Sequence, residues 1–526
     1  MSSNAAAPPP TGRGMTIADQ IARHARTIPD QRAVTFEGAH LTWRQLDERT
    51  SRLANALRQR GTVRGDRVAV LGLNRTEVLE AYFAAVRLGA ICVPLNFRLA
   101  ADELAHALAD SGSRIAVVDA ALAEPLAKAR EQVPDVEHCL VFGSSAADDD
   151  YERALAQASP ECDELRVDEH DAAFLMYTSG TTGRPKGAVL THFNLLMHAF
   201  SQIAHAGVAP EDRVWLAAAP LFHIAGLSGM LPTLLLGGRI VVLPTGRFDP
   251  VATADLVERE QVTSTFMVPA QWQELCSLPD LGERDFSALK RIAWGAAPAP
   301  TSLIRAMLGA FPAAEVSTVF GQTECSPVTT ELRGADAARK IGSIGTPMLN
   351  VEARVVDDEM RDVPRGEVGE IVYRSPMVMR EYWNKPAETA EAFRGGWFHS
   401  GDLVRQDSEG YFYVVDRKKD MIISGGENIY CAEVEDVLAG HPRIREVALI
   451  GVPHEKWGET PLAVLSPEHG TAAPTADELH DWCADRLASY KRPREVAVLP
   501  ELPRNPSGKV LKTRLRQEHA AGELGV

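Results

Sequence analysis

Short runs of β-branched and apolar residues alternate along most of the chain with stretches whose apolar positions recur every three or four residues. The first kind predicts buried strands at 67–71, 91–95, 114–119, 239–243, 264–268, 291–294 and 316–320. The second predicts helices at 42–59, 77–88, 101–111 and 194–206. This alternation is the pattern of βα units wound around mainly parallel sheets, so the fold class is α/β. From about residue 351 the strands crowd together, at 351–356, 370–373 and 411–416, with Gly366, Gly369, Gly395 and Gly396 between them. A charged cluster at 417–420 then leads into a compact C-terminal stretch with β and α patterns at 433–438, 447–452, 461–465, 477–487 and 495–499. The expected organisation is a flexible tail at 1–14, a large domain at 15–416, a boundary at 417–420 and a small α+β domain at 421–526.

Composition narrows the function classes. The chain has 526 residues, 45% hydrophobic and 24% charged, an ordinary globular mixture that excludes disorder or coiled coil for its bulk. With 55 Lys and Arg against 71 Asp and Glu, the net charge is −16. That balance argues against general binding to nucleic acid or anionic membranes, so any polyanion must be met by local basic clusters. The seven cysteines are dispersed, with no zinc-ligand spacing. One apolar segment, 216–238, has His223 as its one ionisable group, but Pro220, Pro232 and four glycines interrupt it. It reads as buried loop and helix, not a membrane span. The Pro-rich 1–14 lacks the apolar core of a signal peptide. The expected location is the cytoplasm.

The most informative string is YTSGTTGRPKG at 177–187, which follows an apolar run and precedes a helix starting near His192. Its glycines permit tight turns, Thr178, Ser179, Thr181 and Thr182 carry hydroxyls, successive N–H groups can form an anion nest, and Lys186 adds a positive charge. That suits a polyphosphate. It is not a Walker A loop, because Pro185 stands where that motif needs its second glycine and Gly187 replaces the Ser or Thr. A Ser/Thr/Gly-rich surface loop accounts for the composition equally well.

Five more strings follow in order: GAAP at 295–298, FGQTE at 320–324, WFHSGD at 397–402, DRKKD at 416–420 leading into MIISGGEN at 421–428, and PRNPSGK at 503–509. Together with the first string, this set resembles the signature motifs of the adenylate-forming superfamily, which includes acyl-CoA synthetases, peptide-synthetase adenylation domains and firefly-type luciferases. The resemblance runs from about residue 17 to 515, and the pattern is nearest to fatty-acyl- or aryl-CoA ligases.

The resemblance implies a large N-terminal domain of stacked, mainly parallel sheets with a β-barrel-like subdomain, followed by a small mobile C-terminal domain. It implies that Thr178, Ser179, Gly180, Thr181, Thr182, Gly183 and Lys186 cradle the phosphates of ATP. Gly295, Ala296, Ala297 and Pro298 would line the adenine and acyl sites. Phe320 would stack on adenine, beside Gly321 and Gln322, although the superfamily more often has Tyr there. Thr323 would meet the α-phosphate, and Glu324 with Thr178 would hold Mg²⁺. Asp402 would bridge the ribose hydroxyls, Arg417 would contact ribose or phosphate, and Lys419 would be the pivot. Gly425 and Gly426 would form the backbone wall of a pantetheine channel, and Lys509 would reach the carboxylate and the α-phosphate. Ser400 stands in place of the commoner Thr.

The implied activity is an AMP-forming acid–thiol ligase that uses ATP, Mg²⁺ and coenzyme A as co-substrate, with a homodimer as the expected assembly. Trp457, Arg492 and Arg494 form a basic and aromatic set suited to the phosphates and adenine of CoA, or equally a surface basic patch around a half-buried Trp. His223 is either a gate between ATP and the acid or a buried histidine with a structural hydrogen bond. The stretch 213–248 contains no Asp or Glu before Asp249, which disfavours an amino acid as substrate and leaves fatty and aryl acids open. An acyl-AMP ligase serving a carrier protein and a luciferase-like oxygenase remain as rival readings.

Overall fold

The computed structural model describes residues 15–144, 150–162, 167–178, 185–209, 213–297, 299–424, 427–484, 486–504 and 509–524. The chain divides into two compact units, Met1–Glu352 with Arg374–Glu391, and Ala353–Tyr373 with Ala392–Val526.

Two large sheets build the first unit. In one, six parallel strands lie side by side in the order Arg32–Phe36, Arg239–Val242, Val214–Ala217, Ser264–Met267, Arg291–Trp294 and Glu315–Gly321. Antiparallel strands finish its edges: Ala39–Thr42 on one side, Val328–Arg333 and Thr346–Pro347 on the other. The other sheet runs His138–Phe142, Ile115–Asp119, Arg67–Leu71, Ile91–Leu95 and Ala172–Thr178 in parallel, then Lys186–Thr191 and Glu381–Tyr382 antiparallel. Strands covered on both faces read as continuous apolar runs, which is why they were legible. Leu216, Trp272, Ile292, Met307 and Val316 pack one core, and Val93, Leu108, Val118, Leu175 and Val189 another.

The apolar segment at 216–238 proves to be strand end, loop and the buried helix Ile224–Leu235. No helix among the described residues is long and apolar enough to cross a membrane.

The second unit holds a four-stranded sheet (Glu352–Val356, Val368–Arg374, Phe398–Gln406, Phe412–Arg417) where a barrel-like subdomain is expected. It also holds a smaller sheet centred on the hairpin Ile444–His454 and Gly458–Pro467, packed by the helices Cys431–Ala439, Ala476–Cys483 and Lys512–Ala520. Residues 417–420 lie within this unit, at the turn after Phe412–Arg417.

A short strap, 376–383, ties the two sheets of the first unit together. Thr191 caps the helix His192–Ala206 in a reciprocal box with Asn194. The Asn194 amide then donates to the carbonyls of Pro376 (2.8 Å) and Val378 (2.9 Å). Ser326 donates to the Met377 carbonyl at 2.7 Å, and the Met379 N–H donates to the Glu324 carbonyl at 2.6 Å. Replacing Asn194 by Ala keeps the Thr191 bond to the backbone N–H of residue 194, but it removes the half of the box in which Asn194 Oδ1 accepts from Thr191 and takes the amide donor from the Pro376 and Val378 carbonyls. Each such loss costs about 1–3 kcal/mol. Asn194→Ala is therefore expected to lower the urea midpoint of the first unit by the equivalent of about 2–4 kcal/mol; a loss under about 0.5 kcal/mol would mean the strap is not held this way.

Candidate active site

Because neighbouring strands of the first sheet run parallel, their carboxyl ends converge on one edge. His223 follows Val214–Ala217, Gly295 to Ala297 follow Arg291–Trp294, and Phe320 and Gly321 end Glu315–Gly321, with Gln322, Thr323 and Glu324 next. Ligands of open α/β sheets bind outside such carboxyl ends. Two glycines are forced by close approach. A Cβ on Gly321 would lie 1.9 Å from the Pro327 carbonyl oxygen, and one on Gly295 would lie 2.5 Å from that of Val319. Ala296 holds a left-handed φ of 66°, a strained conformation that non-glycine residues rarely adopt outside functional loops. Ala296 and Ala297 are exposed and Phe320 is half-buried, so the loop and the ring both present surface to a ligand. The imidazole Nδ1 of His223 accepts the Ala225 N–H at 3.2 Å and caps Ile224–Leu235. Pro298 lies outside the described residues, as do Ser179, Gly180, Thr181, Thr182 and Gly183.

The two ends of the Thr/Gly-rich loop are the strands Ala172–Thr178 and Lys186–Thr191, paired antiparallel with Thr178 opposite Lys186. The sequence suggests strand, loop, then helix; instead a full strand separates Lys186 from the helix beginning at His192. The positive end of that helix therefore does not serve the loop. The anion site expected there would rely on backbone N–H groups, hydroxyls and Lys186. Thr178 Oγ1 donates to the Lys186 carbonyl at 3.4 Å, which closes the neck of the hairpin.

Sequence reasoning missed Tyr382. Its strand Glu381–Tyr382 pairs with Val189 and Ala188, and Trp383 N–H donates to the Gly187 carbonyl at 2.8 Å. From this position the Tyr382 hydroxyl donates to Glu324 Oε1 at 2.8 Å, while the Lys186 ammonium lies 5.1 Å from the centre of its ring. Burial, with the Glu324 carboxylate alongside, pushes the phenol well above its usual range, so it stays protonated and donating. A two-residue strand has no readable period; the one signal is an aromatic pair in a polar stretch, EYWNK at 381–385.

In the second unit, Asp402 and Arg417 face each other across paired strands, with Arg417 Nε 2.6 Å from Asp402 Oδ1. Lys419 is exposed in the turn that follows. Asp416 is buried, which pushes its carboxyl up to about 6 against the opposing pull of Lys512 and of the backbone N–H groups of Arg417 and Cys431. Lys509 is exposed, beside the point where Arg504 and Val510 bridge and Leu511 N–H donates to the Pro503 carbonyl at 2.8 Å. The indole of Trp457 carries two cations, Lys456 at 4.5 Å and Arg494 at 5.4 Å from the ring centre. Arg492 is engaged elsewhere, donating to the carbonyls of Leu487 (3.0 Å) and Ala484 (2.8 Å). Gly425 and Gly426 lie outside the described residues.

No group of three or more His, Cys, Asp or Glu among the described residues could cage a metal ion. Mg²⁺ does not require one: it takes one or two carboxylates and completes its shell with water and substrate phosphates. Glu324, 9% exposed and held at one oxygen, fits that requirement for a metal arriving with a nucleotide.

Residues 21–383 match the family described as AMP-binding enzyme, and residues 433–509 match the AMP-binding enzyme C-terminal domain. The chain is 44% identical to a feruloyl-CoA synthase from an Amycolatopsis species over 500 residues, covering 94% of this chain and 97% of that protein. It is 38% identical to an indoleacetate–CoA ligase from Aromatoleum aromaticum over 504 residues, covering 96% and 98%. Its fold superposes with a TM-score of 0.83 on o-succinylbenzoate CoA synthetase from Bacillus subtilis in complex with its acyl-adenylate intermediate, at 32% identity over 94% of this chain and 97% of that one. The same enzyme has been solved with ATP and a magnesium ion. Motif order, sheet architecture and these matches converge: the chain belongs to the AMP-binding enzymes of the adenylate-forming superfamily, among the acyl- and aryl-CoA ligases.

Proposed function

We propose that this chain is an ATP-dependent, AMP-forming ligase that joins an aryl carboxylic acid to coenzyme A. The observation that carries the reading is the convergence of Lys186, Tyr382 and Glu324 beside the Thr/Gly loop and the sheet edge bearing Phe320. The aryl preference draws on the feruloyl-CoA and indoleacetate relatives, and the absence of an acidic residue from 213 to 248 that could hold an amino group argues against an amino acid.

The chemistry asks for positioning more than for proton transfer. A carboxylic acid is ionised near neutral pH, so its attack on the α-phosphorus of ATP needs no base. The carboxylate oxygen forms a bond to phosphorus as pyrophosphate leaves, giving acyl-AMP. The obstacle is the approach of an anion to a polyanion, which cationic and hydrogen-bonding groups relieve as charge moves onto the phosphoryl oxygens. Lys186 and the hairpin loop would hold the phosphates, Phe320 the adenine and Asp402 the ribose. Glu324, with Thr178, would hold Mg²⁺, which would supply positive charge to offset that of the phosphates. The CoA thiol then attacks the acyl carbonyl carbon, and AMP leaves.

Lys509 is proposed to stabilise the charge developing in the first step. Its loop follows the 417–420 hinge, so rotation about Lys419 would withdraw it and bring Gly425 and Gly426 to the thiol path. Trp457 with its stacked Lys456 and Arg494 suits the adenine and phosphates of CoA, and Arg494 is better disposed for this than Arg492, whose donors serve the backbone.

Product formation over a panel of cinnamic, benzoic, indolic, fatty and short dicarboxylic acids, with and without CoA, tests the reading. Aryl-CoA and AMP are expected from an aryl acid only when CoA is present; faster turnover of a fatty or dicarboxylic acid would contradict the aryl assignment. Lys509→Ala is expected to slow acyl-AMP formation by about 10²–10³-fold, the scale for losing a transition-state charge stabiliser. It should leave thioester formation from supplied acyl-AMP within about threefold. Equal losses in both steps would rule out the hinge scheme.

A further inference from the structure

We infer that Tyr382 is a positioning residue of the nucleotide site, its hydroxyl fixing the Glu324 carboxylate while its ring seats the Lys186 ammonium, so that the carboxylate and the cation are set as one piece. The inference rests on the proposed use of MgATP and adds a residue to it. Glu324 is buried, and among the described residues its side chain meets the Tyr382 hydroxyl at hydrogen-bond distance, 2.8 Å from Oε1. A carboxylate held by one oxygen still offers the other to a metal, and its orientation then depends on the group that holds it. On the opposite side of the chain reversal, Lys186 lies 5.1 Å from the ring centre, within the range where an aromatic face attracts a cation.

Tyr382 is itself fixed by backbone. Its neighbours pair along the strand that carries Lys186, through Tyr382 opposite Ala188, Arg380 N–H to the Val189 carbonyl (2.9 Å) and Trp383 N–H to the Gly187 carbonyl (2.8 Å). The same segment receives Glu324 through its own main chain, Met379 N–H to the Glu324 carbonyl at 2.6 Å. A side chain clamped at both ends to the two groups it touches loses little freedom when a ligand binds. That is the property a positioning residue needs. A purely structural tyrosine would affect stability alone, whereas this geometry ties the hydroxyl to metal-dependent binding and the ring to phosphate binding.

Binding of ATP to the full chain, measured by titration calorimetry with excess Mg²⁺ and again with EDTA, separates these roles without relying on turnover. Tyr382→Phe keeps the ring and is expected to weaken MgATP binding about 10–100-fold, the usual effect of losing a partner behind a metal ligand, and to leave metal-free ATP within about twofold. Tyr382→Leu is expected to weaken binding under both conditions. Wild-type-like MgATP binding by Tyr382→Phe, or an equal loss with and without metal, overturns the inference. Adding Tyr382→Phe to Glu324→Gln gives a second reading in an altered background. There the hydroxyl has no metal ligand to orient, so a further loss under about twofold supports the inference, and a further tenfold loss overturns it. Failure of the wild-type chain to bind MgATP at all would count against the proposed function instead.

Discussion

The structure of the first unit depends on a strap that joins two sheets which the sequence sets far apart. On the proposed reading, a polyphosphate and its metal are gripped from the hairpin of one sheet and the carboxyl edge of the other. A direct connection between Lys186 and Glu324 adds to other bonds between the sheets, such as those of Asn74 to Ala219, Leu243 and Leu221. Residues 376–383 supply that connection through backbone hydrogen bonds to Glu324 and Val189, through Asn194 and Ser326, and through the Tyr382 hydroxyl. Electrostatic stabilisation is effective only where donors and charges are already in place, because reorganising them at the moment of reaction would consume the gain. On the proposed reading, the strap would supply that preorganisation.

The hairpin adds a second lesson about phosphate recognition. Many phosphate loops run from a strand into a helix and use the positive end of the helix dipole. Here Lys186–Thr191 pairs back along Ala172–Thr178 and the helix starts at the far end of that strand. On the proposed reading, the loop would then work through its own N–H groups, hydroxyls and one ammonium. The density of Thr, Ser and Gly at 177–187 makes physical sense in this light.

Much of this was legible in the sequence, for identifiable reasons. The buried parallel strands Arg67–Leu71, Ile91–Leu95 and Arg291–Trp294 coincide with their apolar runs, and the helix Ala101–Ser111 coincides with its periodic stretch. Motif order located the edge that bears Phe320 and Glu324. The strand Lys186–Thr191 was not legible, because its pairing is decided by the return of the chain and its apolar residues read equally as a prelude to the helix. Tyr382 was hidden because its partner lies 58 positions away. The string YKRPR at 490–494 could not say which arginine meets Trp457; the backbone directs Arg494 over the indole and spends Arg492 on the carbonyls of Leu487 and Ala484. Local pattern reports burial and propensity, whereas these contacts are set by long-range pairing.

What separates this account from other ways of making a thioester with ATP is a free acyl-adenylate stage, built in the absence of the thiol. Acid-dependent exchange of labelled pyrophosphate into ATP, run with Mg²⁺ and no CoA, measures that stage directly. The account predicts exchange that appears only when a suitable aryl acid is added and that disappears with EDTA. Exchange that requires CoA, or exchange of phosphate in place of pyrophosphate, would contradict it.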